Sequence, residues 1–231
     1  MSEEPVCVIE NNKRFVGTQD EWEEYDRNQV KICVAGDSSC GKTSILGRLK
    51  DGVFMSHSRS TISVDLVIVR LRMRSGKRVK VMLYDMVGDD RFRLHSPLNV
   101  ISGVEGVMLV FDPKRPETFT SLALWRKRLD LDIGDEYKKV VMCNKSDLLS
   151  DSARSSELSQ QWIEHSKDSY HCKLFFASAK DGENLTEGLG YLLQRILRKR
   201  AKEDIVDHRQ NLRRIGIDSG QRVEQKSKCC K

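Results

Sequence analysis

Nowhere in the 231-residue chain do eighteen apolar residues follow one another, and the first residues are polar and acidic. A membrane span and a secretory leader are therefore not expected, and a chain made and kept in the cytosol is. Paired cysteines of zinc-site spacing are missing as well: Cys7, Cys33, Cys40, Cys143 and Cys172 are scattered, and only Cys229 and Cys230 adjoin. Cys33 and Cys143 fall in apolar runs and read as buried thiols. The histidines, His57, His95, His165, His171 and His208, have neither ligand nor triad spacing. No aromatic residues interleave with a dense Lys/Arg stripe, so the formal charge of +6 does not describe a nucleic-acid surface, and the excess is assigned to the tail. What remains, 32% charged and 39% hydrophobic, is an ordinary globular composition long enough for one core with extensions.

The stretch that organises the chain is Gly36-Asp-Ser-Ser-Cys-Gly-Lys-Thr-Ser44, set between the apolar run Val30 to Ala35 and the helical positions Ile45, Leu46 and Leu49. Its spacing, Gly36-x4-Gly41-Lys42-Thr43, is that of a phosphate-binding P-loop. Successive backbone N–H groups wrap a polyphosphate, Gly41 lets the backbone approach, Lys42 reaches the outer phosphates and the Thr43 hydroxyl is placed for magnesium.

Residues 1–28 lack apolar periodicity and read as an acidic flexible extension, with docking of Trp22 and Tyr25 on a partner or on the domain as the alternative. Downstream, Val64, Leu66, Ile68 and Leu71 lead to a Ser75-Gly76 turn, and Val79 to Tyr84 returns, which reads as a hairpin. The second strand delivers Asp85-Met-Val-Gly88, a D-x-x-G element suited to water-mediated magnesium and to a terminal phosphate. Then Gly106 to Phe111 is a buried strand, and a helix follows with Phe119, Leu122, Trp125 and Leu129 on one face. Val140 to Cys143 ends in Asn144-Lys-Ser-Asp147, a helix surrounds Leu158 and Trp162, and Lys173 to Ala177 ends in Ser178-Ala-Lys180. In the last helix Asn184 and Glu187 are spaced as a capping pair. Strands alternate with helices and each polar signature closes a strand, so the expected fold is α/β: a mostly parallel six-stranded sheet, helices on both faces, the ligand at one sheet edge.

The base reader separates GTP from ATP. The Asp147 carboxylate can accept two N–H bonds from guanine, which adenine cannot offer, and an acceptor left unpaired costs about 1 to 3 kcal/mol. An ATP-using P-loop kinase fails on this motif.

With these four motifs in order, residues 30 to 200 resemble the Ras superfamily of small GTPases, most closely its Rab branch. Ser60-Thr-Ile-Ser-Val-Asp65 looks like the Rab effector stretch, and Arg91-Phe-Arg93 matches the start of the second switch. The resemblance implies a G domain at 29–200 that binds GTP or GDP with magnesium. Ser38, Ser39, Cys40, Gly41, Lys42, Thr43, Ser44 and Gly88 would meet phosphates. Thr43, Thr61 and Asp85 would hold magnesium, Thr61 only with the γ-phosphate present. Phe54 would lie against the guanine, Asn144, Lys145 and Asp147 would read it, and the Ser178-Ala179-Lys180 loop would line it, Ala179 giving an N–H to its carbonyl. Effectors, exchange factors and activating proteins would use 54–66 and 85–101, the protein being a monomer in vesicle traffic or related signalling.

Two departures carry consequences. Rab proteins usually read Trp-Asp-Thr-Ala-Gly-Gln where residues 84–89 read Tyr-Asp-Met-Val-Gly-Asp. Asp89 thus occupies the place of the catalytic glutamine. A carboxylate roughly 5 Å from the γ-phosphate, at an effective dielectric of about 20, meets on the order of 3 kcal/mol of repulsion per unit charge. Slow intrinsic hydrolysis is expected, and a GTP-bound interaction module that scarcely cleaves is the rival reading. Activating proteins that bring their own glutamine would still stimulate turnover. The segment from Arg93 to Gly106 lacks the paired tyrosines of the Rab pattern, so partners do not transfer from any Rab. The tail, 201–231, reads as a flexible tether. Cys229 and Cys230 resemble a Rab geranylgeranylation site, which would hold the protein on the cytosolic face of a membrane, with a soluble pool; an unmodified dithiol is the alternative.

Overall fold

Among the residues that the computed structural model describes, 7–10, 19–54, 61, 63–88 and 102–214, every strand joins one sheet. In chain order the elements are β1 (Cys7–Ile9), α1 (Gln19–Arg27), β2 (Gln29–Ala35), α2 (Lys42–Asp51), β3 (Asp65–Met73), β4 (Arg78–Asp85), β5 (Gly106–Phe111), α3 (Glu117–Thr120), α4 (Leu122–Ile133), β6 (Lys138–Cys143), α5 (Asp151–Arg154), α6 (Glu157–Asp168), β7 (Leu174–Phe176) and α7 (Leu185–Arg214). The sheet order is β1-β3-β4-β2-β5-β6-β7. The β1–β3 and β3–β4 pairings are antiparallel and the others parallel.

The parallel centre follows from its sequence. All six residues of β5 are buried, as a strand covered on both faces requires. Successive side chains of β2 point to opposite faces. Cys33 packs with Phe111, Leu122, Trp125 and Trp162 on one side, while Ile32 lies with Leu192 and Ile196 of α7 on the other. The apolar stripe of α4 is thus core, as its periodicity indicates. Cys33 and Cys143 are fully buried; burial pushes the Cys33 thiol up to about 12 and raises that of Cys143 too, so both are inert packing groups.

Five expectations change. The sheet has seven strands, not six, because Cys7–Ile9 adds to the edge of β3 against Leu71–Met73. The supposed flexible extension is thus ordered over β1 and α1: Tyr25 is buried, and its hydroxyl donates to Glu10 Oε2. Glu10 in turn pairs with Arg72 at 3.0 Å, and Lys80 with Asp26 at 2.8 Å, so opposite charges hold the extension to the sheet. In β3 the buried positions are Val69, Leu71 and Met73, while Leu66 is 42% exposed. The period of two admits only one phase, and the expected set had mixed both.

At the C-terminal end of the sheet, Asn184 has φ 55° and its Nδ2 donates to Phe176 O at 2.7 Å, so it fastens β7 and forms no capping box with Glu187. Finally, α7 continues through the residues expected to begin a tether. The chain divides into two units after Ile196, and from Leu197 to Arg214 it is helical. That stretch is free of Gly and Pro, rich in Lys and Arg, and carries a Lys199–Glu203 pair at 3.6 Å. No helix among the described residues is long and apolar enough to cross a membrane. Asp89, Arg91, Arg93, Cys229 and Cys230 lie outside the described residues.

Candidate functional site

The C-terminal ends of β2, β4, β5, β6 and β7 deliver Gly36, Asp85, Asp112, Asn144 and Ala177 to one edge of the sheet. The loop from Gly36 turns into α2 at Gly41, whose φ is 87°. A left-handed residue is needed there, and space is lacking too: a Cβ on Gly41 would stand 2.3 Å from Asn144 Nδ2.

Lys42 opens α2 and is buried, its Nζ donating to Gly36 O at 2.7 Å and to Asp37 O at 3.0 Å. Burial lowers its pKa, and the Asp85 charge opposes that shift. A few ångströms along, Thr43 Oγ1 donates to Asp85 Oδ2 at 2.6 Å and lies 3.1 Å from Thr61 Oγ1. Asp85 is buried; desolvation raises its pKa while the Thr43 hydroxyl lowers it. Its other oxygen, Oδ1, is buried with no hydrogen-bond partner. A buried, unsatisfied carboxylate oxygen beside two hydroxyls is a donor set that suits a hard divalent cation. Gly88 closes this end, since a Cβ there would lie 2.4 Å from Lys42 Nζ and 2.7 Å from Ser38 N.

The far wall comes from β6 and β7. Asn144 is buried; its Nδ2 donates to Cys40 O at 2.8 Å and its Oδ1 accepts from Ala179 N at 3.1 Å. Ala179 N–H is therefore directed to Asn144 and not, as the resemblance implies, into the cleft. Lys145, at φ 63°, donates to Ser39 O at 2.8 Å. Asp147 Oδ1 accepts from Ser178 Oγ at 2.8 Å, and Lys180 Nζ stands 3.9 Å from Oδ2. Arg48 of α2 donates to Ala179 O at 3.1 Å and also to Lys180 O, so the P-loop helix buttresses that wall.

Of the expected site residues, the structure thus brings together Ser38, Ser39, Cys40, Gly41, Lys42, Thr43, Thr61, Asp85, Gly88, Asn144, Lys145, Asp147, Ser178, Ala179 and Lys180. Ser44 is half-buried in the first turn of α2, and Phe54, two residues past the Gly52 that ends that helix, is half-buried without a described contact to the site. Sequence reading missed Asp112, Arg115 and Arg48. It also took Trp125 as packing alone, whereas its Nε1 donates to Asp37 Oδ1 at 2.8 Å. Asp112 had a legible signal, its place at the end of β5; Arg115 and Arg48 had none.

A P-loop at the turn after β2, a hydroxyl and carboxylate cluster beside it and an Asn-Lys-x-Asp wall opposite define a P-loop protein of the small GTPase class. The family model described as "Ras family" matches residues 31–198, and the chain belongs to that family. Within it the chain is Rab-like. It is 32% identical over 206 residues to "Ras-related protein Rab-32" of Homo sapiens, which spans 87% of this chain and 88% of that protein. It is 27% identical over 205 residues to "Ras-related protein RABE1e" of Arabidopsis thaliana, 87% and 92% of the two lengths. To "Ras-related protein RAB1BV" of Beta vulgaris it is 29% identical over 203 residues, again 87% and 92%.

Proposed function

We propose that this GTPase is a membrane-tethered switch that binds GTP and GDP with magnesium, hydrolyses GTP slowly and works in vesicle traffic or related signalling. The observation that carries the reading is Asn144, which bonds the P-loop at Cys40 and the Ser178–Lys180 loop at Ala179, so that a phosphate subsite and a base subsite share one wall. Lys42 supplies charge to the outer phosphates, and Asp147 accepts from the guanine N–H groups. Thr43 and Asp85 would hold magnesium, with Thr61 joining them in the GTP state, and the ion would supply charge neutralisation for the phosphates. The backbone N–H groups of the loop stabilise the departing phosphate.

Purified protein is expected to retain guanine nucleotide, and Lys42→Ala and Asp147→Ala to lose it. Material that retains neither GDP nor GTP, with both variants unchanged, would end this reading. Asp89 favours a second reading, a GTP-bound interaction module that scarcely cleaves. Multiple-turnover phosphate release with and without cell extract separates the two: release only with extract supports a stimulated switch, and none in either supports the module.

A further inference from the structure

Four consecutive P-loop residues are held from outside. Asp37 Oδ1 accepts from Trp125 Nε1 at 2.8 Å, Ser38 O from Arg115 Nη2 at 2.9 Å, Ser39 O from Lys145 Nζ at 2.8 Å and Cys40 O from Asn144 Nδ2 at 2.8 Å. Lys145 and Asn144 belong to the base-reading motif; Arg115 belongs to none of the four motifs. It extends from the loop after β5, pairs with Asp112 Oδ2 at 3.4 Å and also reaches Cys40 Sγ at 3.5 Å. Lys145 Nζ meets the same Asp112 Oδ2 at 2.7 Å. One carboxylate, only 4% exposed in its side chain, therefore anchors both cations that take the Ser38 and Ser39 carbonyls. Asp112 is fixed in its turn, Oδ1 accepting from Lys114 N at 2.9 Å while its own N–H donates to Thr118 Oγ1 at 3.0 Å.

The peptide plane turns this outer clamp into an inner effect. In a trans peptide the carbonyl of one residue and the N–H of the next point in opposite directions. Carbonyls of Ser38 and Cys40 drawn outward turn the N–H groups of Ser39 and Gly41 to the opposite side, while the Cys40 N–H donates to Asp37 O at 3.4 Å within the loop. Without Arg115 the Ser38–Ser39 plane loses its outer donor, and ordering it falls to the phosphate on binding.

We propose that Arg115, anchored by Asp112, is a positioning residue that preorganises the P-loop for polyphosphate and so slows nucleotide release. The proposal rests on the nucleotide-switch reading but concerns the phosphate and not the base. The test compares wild type with Arg115→Ala, Arg115→Lys and Asp112→Asn, using fluorescent GDP, inosine diphosphate and inorganic tripolyphosphate as probes. Losing one charged hydrogen bond is expected to raise GDP release and weaken tripolyphosphate binding about tenfold, with the lysine variant recovering part of the loss and Asp112→Asn losing at least as much. The GDP-to-inosine-diphosphate preference is expected to stay as in wild type, which a general loosening of the site would not give. Arg115 is 37% exposed in its side chain, so the melting temperature is expected to hold within about 2 °C. Arg115→Ala within twofold of wild type on both phosphate probes, or a change in base preference instead, overturns the proposal. Wild type that binds tripolyphosphate but not GDP ends the guanine reading while the clamp is still judged on the tripolyphosphate arm.

Discussion

Gly41 and Asn144 stand so close that no side chain fits between them, a Cβ on the glycine lying 2.3 Å from the Asn144 amide nitrogen. Gly41→Ala is therefore expected to push Asn144 off Cys40 O as well as to strain a left-handed residue. The strain alone costs about 1 kcal/mol. Stranding the buried amide adds roughly 1 to 3 kcal/mol. A melting curve should fall by several degrees, and nucleotide retention should be lost with it; a variant that melts and binds like wild type would break the link between this contact and the site.

Asp89 supplies the second prediction, from the charge argument alone. By the family resemblance position 89 is that of the catalytic glutamine, so Gln there would replace a carboxylate expected near the γ-phosphate with a group that both donates and accepts. Single-turnover GTP hydrolysis by Asp89→Gln is expected to exceed that of wild type at least tenfold, for a repulsion of on the order of 3 kcal/mol. An equal or lower rate would mean that the position is idle.

The third concerns α1 of the N-terminal segment. Tyr25 is 1% exposed, and its ring and hydroxyl tie α1 to Glu10 and thereby to Arg72 of β3. Tyr25→Ala is expected to cost about 3 kcal/mol, comparable to other buried aromatic truncations, and Tyr25→Phe much less. Urea denaturation measures both; an unchanged midpoint for the alanine variant would show that the segment contributes nothing to the domain.

Much of this arrangement was legible in the sequence, and the parts that were not have physical reasons. Gly36 to Ser44 and Asn144 to Asp147 announce themselves because close backbone approach and a placed carboxylate leave little choice of residue. The strand Cys7–Ile9 does not, because three residues become a strand only through the free edge that Leu71–Met73 offers. Leu66 misled because alternation alone does not fix which phase faces inward. Helix beyond residue 200 was hidden by polarity, since a helix without an apolar face leaves no periodic trace. Arg115 acts by reaching across space to a loop more than seventy positions earlier, and no local pattern records that.

Acid supplies a fourth expectation. Glu183 binds Arg154 Nη1 at 2.6 Å and accepts from Ser146 Oγ at 2.7 Å, closing the base-reading loop from behind. The Arg154 hydrogen bonds, more than any other cause, hold its carboxyl below the ordinary glutamate value of 4.5. A group with a folded pKa below its unfolded one stabilises above the unfolded value and loses that contribution as pH falls through the folded one. The stability gap between wild type and Glu183→Gln is thus expected to be full above pH 4.5 and to close below it. Urea midpoints from about pH 7 to about pH 3 test the sign.

A fifth prediction addresses the tether. Cys229 and Cys230 are expected to carry two prenyl chains when the protein is made in eukaryotic cells, since one chain anchors only marginally. Intact mass reads this directly, and replacing both with Ser should move a tagged protein from membranes to the cytosol. An unmodified mass would discard the lipid anchor.

The double bond made by Asn144 has a mechanical corollary. On the proposed switch reading, a regulator that dislodged nucleotide would need purchase on one flank only: tilting the Ala179 turn would tug the Asn144 amide and, through it, the main chain at Cys40. The same linkage would work in reverse, so that emptying the phosphate cradle would also disturb the purine slot.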